Sequence, residues 1–148
     1  MPQFQRIVCP TDFSPTANAA VAHAVELAKT FRGELVLLHV LPPLPYPLLD
    51  GISIAMVLPQ LQDQLRTHAE EQLKAAAKAL GSGFTLRTEL RDGSPHEQVL
   101  ACAHETKADL IVMGTHGHTG LKHALLGSTA ERVVRLATCP VLTVRAKG

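Results

Sequence analysis

Four glycines lie within one short stretch of the chain: Gly114, Gly117, Gly120 and Gly127. They follow an apolar run, Leu110–Met113, whose length and β-branched content predict a buried strand, and Ser128 after them opens a helix-like stretch. Glycine lets the main chain approach a phosphate without a Cβ in the way, and the first N–H groups of a helix carry the positive end of its dipole. The pattern therefore predicts a phosphate cradle at the C-terminal end of a central strand.

The elements that position this loop alternate along the whole sequence. Compact apolar runs predict five strands, at Arg6–Cys9, Glu34–Val40, Phe84–Arg91, Leu110–Met113 and Val141–Val144. Helical spacing of apolar residues predicts four helices, at Thr16–Phe31, Pro59–Leu80, Pro95 to about Thr106, and roughly Thr129–Ala137. With no internal repeat and no linker, residues 1–148 are expected to form a single domain of the α/β class, a doubly wound five-stranded parallel sheet.

Local signals define several boundaries. Ser14 and Pro15 predict the N-cap and first position of the first helix, and Ser94 with Glu97 predicts a capping box before the third. The third strand alternates apolar with polar residues, which predicts a half-exposed strand near an edge of the sheet. The segment Leu41–Leu58 has four prolines in its first seven residues, which predicts an irregular connection where a flap over a ligand could sit.

Composition limits the classes of partner. Apolar residues make up 46% of the chain, yet it has four Phe, one Tyr and no Trp, so the core must be aliphatic, as suits a parallel sheet covered by helices. Fourteen basic and thirteen acidic residues give a net charge of +1, which provides no electrostatic footprint for nucleic acid or an anionic membrane. The three cysteines are widely spaced and do not have the spacing of zinc ligands, which predicts reduced thiols. The sequence shows no signal peptide and no apolar run of about 20 residues, so we expect a cytoplasmic protein.

The predicted fold brings distant residues to one edge of the sheet. In a doubly wound sheet, ligands bind beyond the carboxyl ends of the strands, where the strand order reverses. The stretch Pro10-Thr11-Asp12, Val40 and the loop from Gly114 onward are therefore candidates together. Asp12 can accept a hydrogen bond from a ribose hydroxyl or help to hold a divalent metal on a phosphate. Three known phosphate motifs do not fit: GxxxxGK[ST] lacks its Lys, while GxGxxG and HxGH differ in spacing and in their place along the chain.

The spacing that remains is Gly114-x2-Gly117-x9-Gly127-Ser128. With VCPTDFSPTANAAVAHAVELA at the start, LLHV in the second strand and CPVLTVR at the end, it resembles the ATP-binding branch of the universal stress protein family. The resemblance covers nearly the whole chain except Leu41–Leu58. It implies a Rossmann-like sheet of strand order 3-2-1-4-5, binding of ATP with Mg²⁺, a role in the stress response, and a homodimer formed by antiparallel pairing of the last strand, Val141–Val144.

The same resemblance implies roles for individual residues. The loop glycines and Ser128 would hold the phosphates, Asp12 would contact the ribose or a nucleotide-bound Mg²⁺, and the backbone of Val40 would meet the adenine. Gly120 departs from the residues common in the family. The full set of candidate nucleotide-contacting residues is Pro10, Thr11, Asp12, Val40, Met113, Gly114, Thr115, His116, Gly117, His118, Thr119, Gly120, Gly127, Ser128 and Thr129.

Each of these assignments has a structural alternative. Asp12 can serve only the turn before the first helix, and Ser128 can be only a helix cap. Three histidines of the loop raise the question of a metal site: His116, His118 and His123. Their spacing does not supply a third ligand at a fixed position, so it does not support such a site. Lys122 and Arg132 can pair with phosphates or lie in solvent. The thiols of Cys9 and Cys139 are expected to pack in the core at strand positions.

Catalysis is not indicated by the sequence. Phosphoryl transfer needs positioned Lys, Arg or metal groups, and neither a positioned base nor a Ser-His-Asp or Cys-His arrangement follows from the spacing. We therefore expect an ATP-binding regulatory module with at most slow hydrolysis. The alternatives are a nucleotide-dependent enzyme of related fold, or a nucleotide-free structural dimer. No nucleic acid or membrane partner is expected, and the protein partners are unknown.

Overall fold

The computed structural model describes residues 3–44, 51–116 and 126–146, with the backbone alone for 51–56. Strands and helices alternate along these residues. The strands are β1 (Arg6–Pro10), β2 (Glu34–Leu41), β3 (Thr85–Asp92), β4 (Leu110–Gly114) and β5 (Val141–Val144). The helices are α1 (Pro15–Phe31), α2 (Gly51–Lys78), α3 (Pro95–Glu105) and α4 (Ser128–Leu136). Each predicted element is present, so the predicted fold class is confirmed.

The five strands form one parallel sheet in the order β3-β2-β1-β4-β5. The central strand β1 pairs with both β2 and β4, and Val8 is in register with Val36 on one side and Ile111 on the other. The chain runs from β1 outward through β2 to β3, and from β4 outward to β5. The strand order therefore reverses between β1 and β4, which is where a doubly wound sheet binds ligands.

Two buried clusters hold the helices on the sheet, one on each face. On the face of α1 and α2, the sheet residues Ile7, Leu35 and Leu37 lie in one cluster with the alanines of α1 and with Leu73 of α2. On the face of α3 and α4, the buried residues are again aliphatic or sulphur-containing. The prediction of an aliphatic core is confirmed. In the part of the chain that the structure describes, no helix is long and apolar enough to cross a membrane.

The start of α1 has the predicted cap. The Oγ of Ser14 accepts a hydrogen bond from the backbone N–H of Ala17 at 3.2 Å, and Pro15 occupies the first helical turn. After the helix, Gly33 lies so close to the neighbouring strand that a Cβ there would be 2.6 Å from the carbonyl oxygen of Gln5. Glycine is thus required where the chain enters β2.

The start of α2 differs from the prediction. We expected an irregular segment up to Leu58 and a helix from Pro59, but the helix begins at Gly51 and contains Pro59 in its interior. A proline inside a helix removes one N–H donor, but the preceding stretch, GISIAMVL, contains no proline and includes the helix formers Ala, Met and Leu, so the helix continues on the N-terminal side of Pro59. Positions 45–50 of the suggested flap lie outside the described residues, and positions 51–58 are helical.

Strand β3 is an edge strand, as its alternating pattern predicted. Its charged residues are joined to each other and to α3: Arg91 lies 2.9 Å from Glu89 and 2.5 Å from Glu105. The capping box expected at the start of α3 does not form, because the hydroxyl of Ser94 bonds the Nδ1 of His96 at 3.1 Å instead of an amide of the helix. Ser94 is still the N-cap residue by position.

Candidate functional site

The residues that follow β1 are held at the C-terminal edge of the sheet. The N–H of Thr11 donates to the carbonyl of Leu38 at 2.8 Å, so the turn after β1 is tied to β2. Thr11 is itself buried. Since β1 and β4 are neighbours, this turn adjoins the loop that leaves β4. The fold therefore brings the two main candidate segments to the same place.

Asp12 serves the turn into α1. Its Oδ1 accepts a hydrogen bond from the N–H of Ser14 at 3.0 Å, which is the local role considered as the alternative for this residue. Contact of Asp12 with a ribose or a metal remains a prediction.

An aromatic contact next to Asp12 was not predicted. Phe13 has a φ of 65°, a left-handed conformation that is unusual for a bulky residue. Its ring lies against the imidazole of His39 with the centroids 4.6 Å apart, and the His39 Nδ1 donates to the Thr11 carbonyl at 2.6 Å. This pair joins the ends of β1 and β2 at the candidate site. Nothing local in the sequence signals the left-handed turn.

Gly114, the first glycine of the loop, packs against the start of α1. A Cβ at this position would lie 2.8 Å from the Cγ2 of Thr16 and 3.2 Å from its backbone carbonyl carbon and oxygen. These distances are shorter than an ordinary carbon–carbon contact of about 3.5–4.0 Å. The fold itself therefore requires a glycine at Gly114, besides any approach of a phosphate.

The second end of the loop is closed onto the first. The N–H of Gly127 donates to the carbonyl of Thr115 at 2.6 Å, and the N–H of Thr115 donates to the carbonyl of Val144 at 3.0 Å. Gly127 is the N-cap of α4 and has no side chain to cap it. The first turn of α4, with the exposed Ser128, therefore begins directly beside the end of β4, and its N–H groups have no partner within the helix.

His116 lies between these two ends. Its Nδ1 is 3.1 Å from the Oγ1 of Thr115, and its Nε2 is buried with no hydrogen-bond partner among the described residues. A Cβ added to Gly127 would be 3.8 Å from the His116 Cδ2, so the ring edge that carries Cδ2 faces the start of α4. The sequence predicted His116 as a candidate nucleotide contact and as one of three loop histidines that raise the question of a metal.

The remaining candidates fall into two groups. Val40 and Met113 are buried at the ends of β2 and β4, Pro10 ends β1, and Thr129 lies half-buried in the first turn of α4. The other loop candidates and their neighbours lie outside the described residues: Gly117, His118, Thr119, Gly120, Lys122 and His123. Arg132 is exposed on α4. Within residues 3–44, 51–116 and 126–146, no three His, Cys, Asp or Glu side chains are grouped as metal ligands.

The cysteines are all free thiols, as predicted. Cys9 is fully buried in β1, and burial raises the pKa of its thiol to about 12. Burial, with a contribution from Glu89, raises the pKa of Cys102 to about 11. The prediction for Cys139 was wrong about its strand position, because this residue precedes β5, but its partly buried side chain does pack against the core. None of the three has the lowered pKa of a reactive thiolate.

Comparison with known proteins decides the family. The model of the universal stress protein family matches residues 3–145. The chain belongs to the universal stress protein family. Universal stress protein MJ0531 of Methanocaldococcus jannaschii is 38% identical over 143 residues, which cover 96% of this chain and 82% of that protein.

Solved structures share the fold of this universal stress protein. The structure of MJ0577, a universal stress protein of the same organism, has a TM-score of 0.83 and 33% sequence identity and covers 99% of both chains. A universal stress protein solved in complex with cAMP has a TM-score of 0.65 and 26% identity and covers 98% of this chain and 99% of that chain. The strand order predicted by the resemblance is thus that of a known fold.

Proposed function

We propose that this protein binds an adenine nucleotide, ATP in particular, at the C-terminal edge of the sheet between β1 and β4. The observation that carries the proposal is the bond of 2.6 Å from the Gly127 N–H to the Thr115 carbonyl, which holds the first turn of α4 beside the end of β4. Free amide groups at a helix start, next to a glycine-rich loop at the point of strand reversal, suit a phosphate.

The parts of the nucleotide are assigned by position. In this proposal the phosphates are held by Ser128 and by the loop glycines Gly114, Gly117 and Gly127. The ribose or a nucleotide-bound Mg²⁺ meets the carboxylate of Asp12, and the adenine lies at the end of β2 near the backbone of Val40. Carboxylate and phosphate oxygens are the ligands that Mg²⁺ prefers, so the donor set fits this ion. The chain acts in this proposal as one nucleotide-binding domain.

The relatives support an adenine ligand. The universal stress protein that was solved in complex with cAMP shares the fold of this chain at 26% identity. Its ligand contains the adenine, ribose and phosphate that the proposal assigns here. We therefore include other adenine nucleotides with ATP as ligands to be tested, and we place the protein among the nucleotide-binding members of its family that act in the stress response.

A regulatory role is preferred to an enzymatic one. Catalysis of phosphoryl transfer depends on positioned charges and a positioned base. Among the described candidate residues of the site, Asp12 carries the carboxylate, and its Oδ1 is engaged by the Ser14 N–H. We propose that any hydrolysis is slow, and that the nucleotide state is read by a partner.

A homodimer is proposed from the difference between the two edges of the sheet. The edge strand β3 carries the charged residues that discourage pairing with another strand. The opposite edge strand, β5, is short and apolar, with Leu142 38% exposed, and the adjoining α4 exposes Val134 (45%) and Leu136 (54%). Antiparallel pairing of Val141–Val144 with a second copy would cover this apolar surface.

Titration calorimetry with Mg-ATP tests the nucleotide site. Ser128→Ala removes the hydroxyl at the start of α4, and we expect about a tenfold to hundredfold weaker affinity, the usual effect of one hydrogen bond to a charged group. Ser82→Ala, at an exposed position between α2 and β3, is the matched control and should bind as the wild type does. No binding by the wild type, or equal losses in both variants, would contradict the proposal.

A further inference from the structure

The two backbone polar groups of Thr11 are both held by the neighbouring strand β2. Its N–H donates to the carbonyl of Leu38 at 2.8 Å, and its carbonyl accepts a hydrogen bond from the Nδ1 of His39 at 2.6 Å. A carbonyl oxygen can only accept, so the His39 Nδ1 carries a hydrogen; this assignment follows from the hydrogen-bond network. A side chain of β2 therefore continues the attachment of the turn after β1 beyond the paired part of the two strands.

This bond lies where β1 is paired on one side. The register of β1 with β2 extends to Pro10, whereas its register with β4 ends at Val8. In the described structure, the last residues of β1 are thus paired with β2 and not with β4, the neighbour across which the strand order reverses. Since Asp12 follows Thr11 directly, the direction in which the Asp12 side chain leaves the sheet depends on how the Thr11 backbone is held.

The turn that carries Asp12 has a strained backbone. Phe13 has a φ of 65°, and such a conformation persists in a bulky residue only where its surroundings enforce it. The Phe13 N–H donates to the Thr11 Oγ1 at 3.0 Å, and the Phe13 ring lies against the imidazole of His39 with the centroids 4.6 Å apart. His39 thus contacts both neighbours of Asp12, one through Nδ1 and the other through its ring.

We propose that His39 is a positioning residue of the nucleotide site, which fixes the direction of the Asp12 carboxylate toward the bound ligand. The inference rests on the proposed function, in which Asp12 meets the ribose or a nucleotide-bound Mg²⁺, and it adds a residue of β2 that the ligand need not touch. Holding the carboxylate in place before the ligand arrives lowers the cost of ordering it on binding. His39 therefore raises the affinity for nucleotide through Asp12 rather than by its own contact.

Two substitutions separate the hydrogen bond of His39 from its ring contact. His39→Asn places an amide nitrogen near the position of Nδ1 and can still donate to the Thr11 carbonyl, whereas His39→Leu keeps apolar contact with Phe13 and has no donor. His23→Leu is the matched control, because the exposed His23 also contacts a main-chain carbonyl through Nδ1, that of Ala19 at 2.9 Å. Affinity for Mg-ATP is measured by calorimetry on the full chain, with melting temperature as the check on folding.

We expect His39→Leu to weaken Mg-ATP binding about tenfold, and His39→Asn and the control to stay within about threefold of the wild type. Asp12→Asn keeps an oxygen for the Ser14 N–H and removes the charge that is proposed to meet the ligand. If His39 acts through Asp12, His39→Leu should change the affinity less than about twofold in the Asp12→Asn background, whereas general damage to the site would give the same loss in both backgrounds.

Three affinity results would overturn the inference while the proposed function stands: wild-type affinity in His39→Leu, an equal loss in His39→Asn, or the same loss in the Asp12→Asn background. In nitrogen NMR of ¹⁵N-histidine-labelled protein, the His39 Nδ1 should be protonated, and an unprotonated Nδ1 would also exclude the inference. If the wild type binds no adenine nucleotide, the proposed function fails and this inference fails with it.

Discussion

The substitution Gly114→Ala separates the packing role of the first loop glycine from its proposed role toward phosphate. The added Cβ would lie 2.8 Å from the Cγ2 of Thr16 and 3.2 Å from the Thr16 carbonyl. The methyl can move by rotation of the side chain, but the backbone of α1 must shift by several tenths of an ångström. The substitution therefore tests how tightly α1 is held against the end of β4.

The magnitude follows from these contacts. Overpacking by a methyl group costs about 1–3 kcal/mol, and replacing Gly by Ala recovers about 0.4–1 kcal/mol through the unfolded state. The expected net loss is about 1–2 kcal/mol, which for a chain of this size lowers the melting temperature by about 2–8 °C. Thr16→Ser removes the methyl at 2.8 Å but leaves the backbone contact at 3.2 Å, so it should restore roughly half of the loss in the Gly114→Ala background.

Urea unfolding of the wild type, both single variants and the double variant measures this coupling. Because the two residues touch, their effects should not add, and the double variant should be more stable than the sum of the single losses predicts. The reasoning is refuted if Gly114→Ala unfolds at the same urea concentration as the wild type, or if the losses simply add. A nucleotide affinity that is lowered in Gly114→Ala and restored in the double variant would show that packing at Gly114 shapes the loop.

Three further results are expected. A thiol reagent should modify the partly buried Cys139 of the native protein first, whereas Cys9 should react only on unfolding, since burial raises the pKa of its thiol to about 12. Leu142→Lys, on the exposed side of β5, should convert a dimer to a folded monomer, measured by light scattering after size-exclusion chromatography. The pKa of Glu105 is lowered by its arginine partner, so this pair stabilises the fold above the usual glutamate pKa and less as the pH falls; the urea midpoints of the wild type and Glu105→Gln should converge in acid.

Each of these three predictions has an outcome that would contradict it. Equal labelling rates for all three thiols would mean that Cys9 is not held in the core. Leu61→Lys, at a position on α2 with similar exposure, is the control for Leu142→Lys, and a monomer in both variants or in neither would remove the assignment of the interface to β5. A difference between the wild type and Glu105→Gln that does not depend on pH would exclude the ion pair as its source.

Local patterns in the sequence predicted most of the architecture. The cap at Ser14 and the polar residues along β3 are local signals, and the structure has both the cap and a half-exposed edge strand. The strand order required the resemblance, because pairing between distant segments leaves no local pattern. The start of α2 was misplaced because Pro59 was taken as a boundary, although a proline can be accommodated inside a helix.

The candidate site was predicted in outline and missed in detail. The convergence of the β1 and β4 ends follows from the fold class, and the glycine spacing marked the loop. The contact of Gly114 with Thr16, the left-handed Phe13 beside His39 and the unpaired Nε2 of His116 each depend on how distant elements pack. Residue type and spacing do not determine such contacts, so they required the structure.

The measurement that tests the central claim most directly is to denature the purified protein and identify any released nucleotide by chromatography and mass, together with the melting temperature before and after addition of Mg-ATP. We predict adenine nucleotide approaching one per chain, or, if the protein is purified empty, a melting temperature that rises with Mg-ATP because binding stabilises the folded state. An empty protein whose melting temperature does not respond to Mg-ATP would contradict the account and favour a structural dimer without nucleotide.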